Sequence, residues 1–343
     1  MRTLWLFRSN IKELEYYHEY KNLKVFERKC HDFYLLFPLW LLRNDYFDKV
    51  IIWRLSDKVH SDITFDINGK KYIQRWVRSL VKVFKEPPPT VSLWRGGFRE
   101  YDAITKTDHN LGIKMYLGTG KRTYPQYGGI YDVIFQEDKK DFNNKFLCMP
   151  FYKTASPYIF YEKKECEKIW DICWPCNFSQ ISQKGQEEFI KVISNSSDDR
   201  FQKLKIVHCG NKPKVGKKLC EKYDVTNIEF MGWQTRNELC DVLNRSKFGL
   251  CMSNRKDGCP RIATEILMTK TPMIISEKTR LLNIYKKRGV VDVNIENIEY
   301  RILWALEHYE DFKKEVVYAI DETLSFEKIC QKNINRWKEE LKI

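Results

Sequence analysis

The chain has 343 residues and a formal net charge of +14 at pH 7, with 43% hydrophobic and 31% charged residues. This composition excludes a disordered chain, and the length favours two domains that each bury a core. No apolar run reaches the roughly 18 residues of a membrane span. The positive charge fits a solvated basic surface or contact with an anionic membrane, and no nucleic-acid-binding motif accompanies it.

Short apolar runs alternate with charged segments through the first half. They predict strands of a buried parallel sheet at Thr3 to Phe7, Leu23 to Phe26, Lys49 to Trp53, Val91 to Trp94, Ile113 to Leu117, Val133 to Phe135 and Phe146 to Pro150. Tyr72 to Phe84 has apolar residues at helical spacing and predicts an amphipathic helix. Phe33 to Leu42 predicts a buried helix or strand, or else a membrane-contacting patch.

Two turns that contain glycines and basic residues follow predicted strands of this first half. Glycines let a backbone approach a ligand closely, and cations attract phosphates or hydroxyls. An ordinary tight turn explains each of them equally well. The candidate ligand-lining residues are Arg95, Gly96, Gly97, Gly120 and Arg122.

The eleven cysteines include only one pair with the spacing of metal ligands, Cys173 and Cys176. A structural zinc site needs two further close ligands; Cys166 and His208 are conceivable, but nothing in the sequence singles them out. The amino terminus lacks the sustained apolar region of a signal peptide. We therefore expect a reduced cytoplasmic protein with no metal and no cofactor, which could still associate with a membrane surface.

The second half contains a regular series of strands and turns. Lys184-Gly185 precedes a predicted helix, Ile206 to Asn211 predicts a strand with a glycine turn, and Asn227 to Gly232 predicts another strand. Strands are also predicted at Phe248 to Met252 and Pro272 to Ser276. Between these two lie a polar turn and a helix, with Asp257 in the turn and Glu265 in the helix. A helix that begins at the carboxyl end of a strand offers unpaired N–H groups to an anion.

This half resembles family-4 glycosyltransferases, the group-1 glycosyl transferases of the GT-B fold. Their signature is an acid, a glycine, an apolar residue and a proline, followed by Glu-Ala-Met-Ala and a Gly-x-Pro-Val-Ile strand. The corresponding residues are Asp257-Gly258-Cys259-Pro260, Glu265-Ile266-Leu267-Met268 and Thr271-Pro272-Met273-Ile274-Ile275. The resemblance covers residues 170–340 and is weak before them. Asp257 stands where the family usually has Glu, so the charge is kept and the reach is shorter.

One feature of the family is missing. A Gly-Arg pair normally stands a few residues before the lysine that corresponds to Lys184, and the arginine and lysine share the pyrophosphate. Asn177-Phe178-Ser179 occupies that neighbourhood. Either Lys184 binds the phosphate together with the helix that follows Pro260, or Arg255 or Arg261 substitutes for the arginine. Lysine provides a point charge, whereas arginine provides bidentate geometry.

The resemblance implies roles for particular residues. Glu265 would bind the donor ribose, Lys184 the diphosphate and Asp257 the transferred sugar, with Lys184 and Asp257 as the catalytic residues. Backbone amides of 258–262 would surround the phosphate and sugar. The donor-binding residues would be Gly210, Asn211, Gly232, Gly258, Cys259, Pro260, Arg261, Ile262 and Glu265, and the glycine turns of the first half would lie on the acceptor side.

We therefore predict an α/β protein of GT-B architecture, with two Rossmann-like domains whose parallel sheets face each other across a cleft. The predicted domains are 1–155 and 156–324, and 325–343 would be a helix that crosses back to the first domain. The expected activity is retaining transfer of a sugar from a nucleoside-diphosphate sugar to a glycan, lipid-linked or other acceptor, without a metal. The alternatives are a GT-B nucleotide-sugar epimerase and a non-catalytic nucleotide-sugar- or glycan-binding protein.

Overall fold

A computed structural model describes residues 1–9, 19–56, 60–79, 83, 85–95, 109–117, 131–136, 147–178, 184–253, 260–279 and 289–341. The chain forms two compact units. The first comprises Met1–Tyr152 and Lys332–Ile343, and the second comprises Lys153–Gln331. Each unit is an α/β body built on its own sheet.

The first unit contains an eight-stranded sheet in the order β3-β4-β2-β1-β5-β6-β7-β8. All neighbouring strands are parallel except the edge pair β3 and β4. The strands are β1 (Thr3–Ser9), β2 (Lys49–Leu55), β3 (Ile63–Ile67), β4 (Lys70–Val77), β5 (Val91–Arg95), β6 (Ile113–Leu117), β7 (Val133–Gln136) and β8 (Cys148–Pro150).

Two predictions for this unit are wrong. The spacing of Tyr72 to Phe84 predicts a helix, but the first part of this segment belongs to strand β4, which pairs with β3 across a turn at Asn68 and Gly69. Both turn residues have positive φ, 53° and 80°, as a tight hairpin requires, and an Asn-Gly pair favours this conformation. The hairpin overrides the helical spacing of the apolar residues that follow.

The second wrong prediction is a strand at Leu23 to Phe26. These residues begin helix α1 (Leu23–Lys29), because the Asn22 side chain accepts a hydrogen bond from the Val25 N–H and caps its first turn. Helix α2 (Phe33–Arg43) contains the apolar run and is buried along almost its whole length. The Tyr72 hydroxyl donates to the Leu35 carbonyl at 3.0 Å and ties α2 to the sheet. Within the described residues, no helix has the length and apolar character needed to cross a membrane.

The second unit contains a six-stranded parallel sheet in the order β11-β10-β9-β12-β13-β14. Its strands are β9 (Trp170–Pro175), β10 (Ile206–Cys209), β11 (Ile228–Gly232), β12 (Ser246–Cys251), β13 (Met273–Ser276) and β14 (Val290–Val293). The predicted strands of this half are all confirmed. The order is that of a dinucleotide-binding Rossmann sheet, in which the first strand stands at the centre and the chain then builds outward on both sides.

Helices connect these strands. They are α3 (Gln186–Asn195), α4 (Asp199–Gln202), α5 (Pro213–Lys222), α6 (Arg236–Asn244), α7 (Arg261–Met268), α8 (Ile298–Glu307), α9 (Tyr309–Ala319) and α10 (Phe326–Leu341), with a π-helical turn at Ile320–Leu324. The final part of α10 belongs to the first unit, where Trp337 packs edge-on against Phe37.

The burial of the second sheet explains why its strands appear in the sequence as continuous apolar runs. Parallel strands covered by helices on both faces are buried on both sides and are therefore almost continuously apolar. All four residues of β10 and of β13 are buried. Because every pair in this sheet is parallel, the carboxyl ends of its strands share one edge. The loops that follow these ends are thereby brought together.

Candidate functional site

The carboxyl edge of the second sheet is the candidate site. In an open α/β sheet, ligands bind beyond the carboxyl ends of the strands, where the strand order reverses. Here the reversal lies between β9 and β12, because β9 continues to β10 on one side and β12 pairs with it on the other. The residues that follow β9, β10 and β11, together with the amino-terminal turns of α3, α6 and α7, surround this position.

The turns after β9, β10 and β11 are tied together by short polar contacts. The Gly210 N–H donates to the Gly232 carbonyl at 2.8 Å, and the Asn211 N–H donates to Oδ1 of Asn177 at 2.9 Å. A Cβ atom at Gly210 would stand 1.7 Å from the Cys176 carbonyl oxygen, so only glycine fits this close approach. The predicted donor-binding residues Gly210, Asn211 and Gly232 thus form one rigid group with Asn177.

The start of α3 joins this group. Gly185 caps α3 in a left-handed conformation and provides no side-chain cap, and half-buried Lys184 precedes it. The buried side chain of Gln186 donates through Nε2 to the Asn177 carbonyl at 3.0 Å, while its Oε1 has no hydrogen-bond partner among the described residues. Burial raises the pKa of the Cys176 thiol, which Lys184 opposes by attraction. The Gln186 contact thus joins the start of α3 to the turn after β9.

His208 and the cysteines beneath this edge are neutral. His208 Nε2 donates to the Cys176 carbonyl at 2.9 Å, and the ring lies among Trp174, Phe178 and Phe230. Burial lowers the pKa of His208 to about 4, so the imidazole is uncharged at neutral pH. Burial also raises the pKa of the Cys173 thiol. Within the part of the chain that the structure describes, no group of three or more potential ligands could hold a metal ion.

Glu265 is a buried acid of this edge and is paired through one of its two oxygens. Its side chain is 2% exposed, and Arg236 at the start of α6 donates through Nη1 to its Oε2 at 3.1 Å. The other oxygen, Oε1, is buried and accepts no hydrogen bond from any described residue. Arg261 places its Nε 3.6 Å from Oε1, an ion-pair distance too long for a hydrogen bond. We call Oε1 the open oxygen of Glu265, because it has no hydrogen-bond partner among the described residues. Such an oxygen can accept a hydrogen bond from a ligand hydroxyl.

The two helices that carry these charges begin differently. Helix α6 starts with a capping box, in which Thr235 and Glu238 satisfy each other's backbone N–H groups. Helix α7 starts after Pro260, which provides no side-chain cap. The Ala263 N–H donates to the Pro260 carbonyl at 3.1 Å. A helix that begins without a side-chain cap directs the positive end of its dipole at an incoming anion, and the predicted donor-binding residues Arg261 and Ile262 lie at this start.

Several predicted site residues lie outside the described residues. They are Asp257, Gly258 and Cys259 of the polar turn, the alternative phosphate ligand Arg255, and Gly96, Gly97, Gly120 and Arg122 of the first unit. Arg95 is described, and its guanidinium lies over the ring of Tyr34 at 3.6 Å from the centroid. Their assignments to the site remain predictions.

Two residues of this edge are not predicted by the sequence patterns. Asn177, in the neighbourhood where the family has Gly-Arg, uses its side chain to fix the β10 turn, while Phe178 packs into the core. Arg236 belongs to no recognised motif. A basic residue in the first turn of a helix interacts unfavourably with the helix dipole, so its presence there does not by itself indicate a binding role. Its position one residue after the Thr235 cap was a signal that could have been used.

The second unit and the overall fold are similar to known proteins. Residues 179–320 match the model of the family described as glycosyl transferases group 1. No match was found among curated proteins. Among solved structures, sucrose-phosphate synthase from Thermosynechococcus elongatus superposes with a TM-score of 0.69 at 9% identity, covering 99% of both chains. A glycosyltransferase from Rickettsia africae gives 0.69 at 11% identity, also covering 99% of both chains.

A further similar structure contains ligands. The Anabaena protein Alr3699/HepE, in complex with UDP and glucose, gives a TM-score of 0.68 at 7% identity and covers 99% of this chain and 100% of its own. At such identities these likenesses concern the fold, and they confirm the prediction of two parallel-sheet α/β domains of the GT-B type. The family match confirms the resemblance read from the second half and supports glycosyl transfer as the activity.

Proposed function

We propose that this chain, whose residues 179–320 match the group-1 glycosyltransferases, is a retaining glycosyltransferase that uses a nucleoside-diphosphate sugar as donor. The observation that supports this most is the buried Glu265 carboxylate, with its open oxygen at the carboxyl edge of the second sheet. A ribose supplies the hydroxyl donors that this oxygen lacks, and a charge-assisted hydrogen bond of this kind is strong.

The proposed mechanism relies on electrostatic stabilisation of the leaving diphosphate. Lys184 and the uncapped start of α7 would face the negative charge that grows on the diphosphate as the bond to the sugar breaks. Arg261 at the first position of α7 is a described arginine that would replace the family's missing one; its side chain is 47% exposed, and its Nε lies 3.6 Å from Oε1 of Glu265. Asp257 would bind the transferred sugar.

Calorimetric titration with UDP-, GDP- and ADP-sugars tests the donor class, and NMR of the transferred sugar tests retention. We expect one nucleotide to bind at micromolar to millimolar concentration and the product to keep the donor's anomeric configuration. Binding of a donor followed by its conversion to another nucleotide sugar without any acceptor would instead identify an epimerase. Binding without turnover would identify a non-catalytic module. Either result contradicts the proposal.

We also propose that the protein contacts an anionic membrane through α5. Lys212, Lys214, Lys217 and Lys218 are exposed, and none forms an ion pair with a described residue. Trp233, 57% exposed, follows Gly232, which lies against the first residue of α5. Clustered lysines attract anionic lipids, and tryptophan is suited to the membrane interface.

Sedimentation with vesicles tests the contact. The protein should pellet with phosphatidylglycerol-containing vesicles at low salt and stay in solution with pure phosphatidylcholine. Changing Lys214, Lys217 and Lys218 to Glu should abolish pelleting, whereas changing exposed Lys203 and Lys314 elsewhere should leave most of it. Equal sedimentation of both sets of variants, or none of the native protein, would show that the helix is simply a solvated basic surface.

A further inference from the structure

Arg236 and Glu265 form a pair in which one carboxylate oxygen is occupied and the other is open. Oε2 accepts from Nη1 of Arg236 at 3.1 Å, and Oε1 is buried without a hydrogen-bond partner among the described residues. The carboxylate side chain is 2% exposed and the arginine side chain 23%. The open oxygen is therefore shielded from solvent, and its position is defined by the contact at Oε2.

A buried carboxylate of this kind needs a fixed cation. Removing an ionised carboxylate from water is costly unless it is paired and hydrogen-bonded. Arg236 satisfies that need from a rigid position, because the capping box of Thr235 and Glu238 closes the first turn of α6 with contacts at 3.3 and 2.7 Å. The arginine thus pairs with the carboxylate and fixes the position of its Oε2. Arg261, at 3.6 Å from Oε1, adds positive charge without using the oxygen's capacity to accept.

We propose that Arg236 is a positioning residue that makes Glu265 selective for ribose over deoxyribose. With Oε2 occupied, a single fixed oxygen remains to accept from the vicinal hydroxyl groups of the nucleotide. A nucleotide that lacks one of these hydroxyls leaves the buried oxygen unsatisfied, which penalises it more than the loss of an exposed hydrogen bond would. This inference rests on the proposed function, because it takes Glu265 as the ribose-binding residue.

The test compares ribonucleotide and deoxynucleotide affinities in one set of variants. The probe is whichever of UDP, GDP and ADP binds the native protein most tightly, together with its 2′-deoxy and 3′-deoxy forms, measured by calorimetry. The variants are Arg236→Gln, Arg236→Lys and Glu265→Gln. Arg200→Gln serves as the control, since Arg200 pairs with Asp198 and Glu307 on the surface of the same unit. Thermal melting establishes that each variant is folded.

We expect the native protein to prefer the ribonucleotide over at least one deoxy form by about tenfold or more. Arg236→Gln should lose most of this preference while its affinity for that deoxy form changes by less than about threefold, and Arg236→Lys should retain part of it. Glu265→Gln should also lose the preference, and Arg200→Gln should keep it. A merely structural arginine would weaken binding of all three nucleotides equally.

Two results overturn the inference in distinguishable ways. The positioning role is wrong if Arg236→Gln binds the ribonucleotide and the deoxynucleotides with equally reduced affinity. It is also wrong if this variant discriminates between them as the native protein does. Both results leave the proposed function in place. Failure of the native protein to bind any of the three nucleoside diphosphates removes the proposed function and the inference with it. If Arg236→Gln is unfolded, Arg236→Lys decides the matter, because loss of affinity for all nucleotides without loss of discrimination also contradicts the role.

Discussion

The two edges of the second sheet differ in how their charged side chains are paired. At the amino edge, the lysine ammonium groups are paired with carboxylates or with backbone carbonyls. Lys168 donates to the carbonyls of Asn244 and Ser246 at 2.7 and 3.0 Å, and Lys247 pairs with Asp171 at 2.9 Å. Lys313 contacts both Glu162 and the Lys270 carbonyl, at 2.9 and 2.8 Å.

At the carboxyl edge, polar atoms are left open. Oε1 of Glu265, Oε1 of Gln186 and Nδ1 of His208 are buried and lack hydrogen-bond partners among the described residues. Oδ1 of Asn227, just before β11, is also buried without a partner, so the contrast between the edges concerns the charged side chains and not every polar atom. Under the proposed function, the closed edge contributes stability and the open edge binds the donor. Substitutions at the two edges should accordingly change different quantities.

The largest expected effect belongs to Lys184. If it stabilises the leaving diphosphate, Lys184→Ala should lower kcat by about a hundredfold or more, because the charge it meets grows in the transition state. The control is Lys191→Ala. Lys191 lies in α3, the helix that Lys184 precedes, and its ammonium pairs with Glu187 at 3.5 Å. Steady-state kinetics with a saturating acceptor measure both variants. A rise in KM for the donor with kcat intact would limit Lys184 to uniform binding and contradict the leaving-group role.

Buried His208, whose Nδ1 has no hydrogen-bond partner among the described residues, predicts that the stability of the protein depends on pH. Burial lowers the pKa of His208 to about 4, whereas an unfolded histidine titrates near pH 6.5. The unfolded chain therefore binds the proton first, and this contribution to the free energy of unfolding is complete above pH 6.5 and is lost as the pH falls toward 4. The loss should amount to about 1–3 kcal/mol over this range.

Urea unfolding at several pH values tests this contribution. His208→Gln keeps a donor for the Cys176 carbonyl and does not titrate, so its stability should depend less on pH between 6.5 and 4 than that of the native protein. The exposed histidine variant His308→Gln is the control and should follow the native curve. Parallel curves for native and His208→Gln would show that the open Nδ1 has no energetic consequence.

The closed edge predicts a smaller, purely structural effect. Burial opposes ionisation of Glu162, but hydrogen bonds and attraction from Lys313 and Lys270 hold the pKa of its carboxyl below the ordinary value. Glu162→Gln should reduce the free energy of unfolding by about 1–2 kcal/mol, because it leaves two partly buried ammonium groups without their anion. Donor affinity, measured by calorimetry on the folded variant, should be unchanged. A marked loss of donor affinity would show that the amino edge also serves binding.

The sequence predicted the second unit far better than the first. Its strands are continuous apolar runs bounded by glycine and polar turns, and the segment from Pro260 to Ser276 carries a family signature, so Glu265 could be placed on its helix. In the first unit, the apolar spacing of Tyr72 to Phe84 predicts a helix, whereas Asn68-Gly69 is a hairpin signal that favours the observed strand. Local periodicity cannot decide between a strand and a helix when a turn fixes the pairing.

Other features could not have been predicted from the sequence. The Arg236–Glu265 contact joins residues separated along the chain by α6, β12 and the start of α7, and only the parallel sheet brings them together. The open state of Oε1 is likewise a property of packing. A sequence identifies which side chains can bind a ribose or a phosphate, but whether their polar atoms are satisfied within the protein depends on neighbours that are distant in the chain.

The most direct measurement of the central claim compares the donor affinity of two matched carboxamide variants. Glu265→Gln removes the open carboxylate, and Asp171→Asn removes a carboxylate of the closed edge that accepts from Lys247 and from the Lys205 N–H. By calorimetry with the best-binding nucleoside diphosphate, Glu265→Gln should lose about 1.5–3 kcal/mol of binding free energy, and Asp171→Asn should bind like the native protein. Equal affinities in all three proteins would contradict the assignment of the carboxyl edge as the donor site.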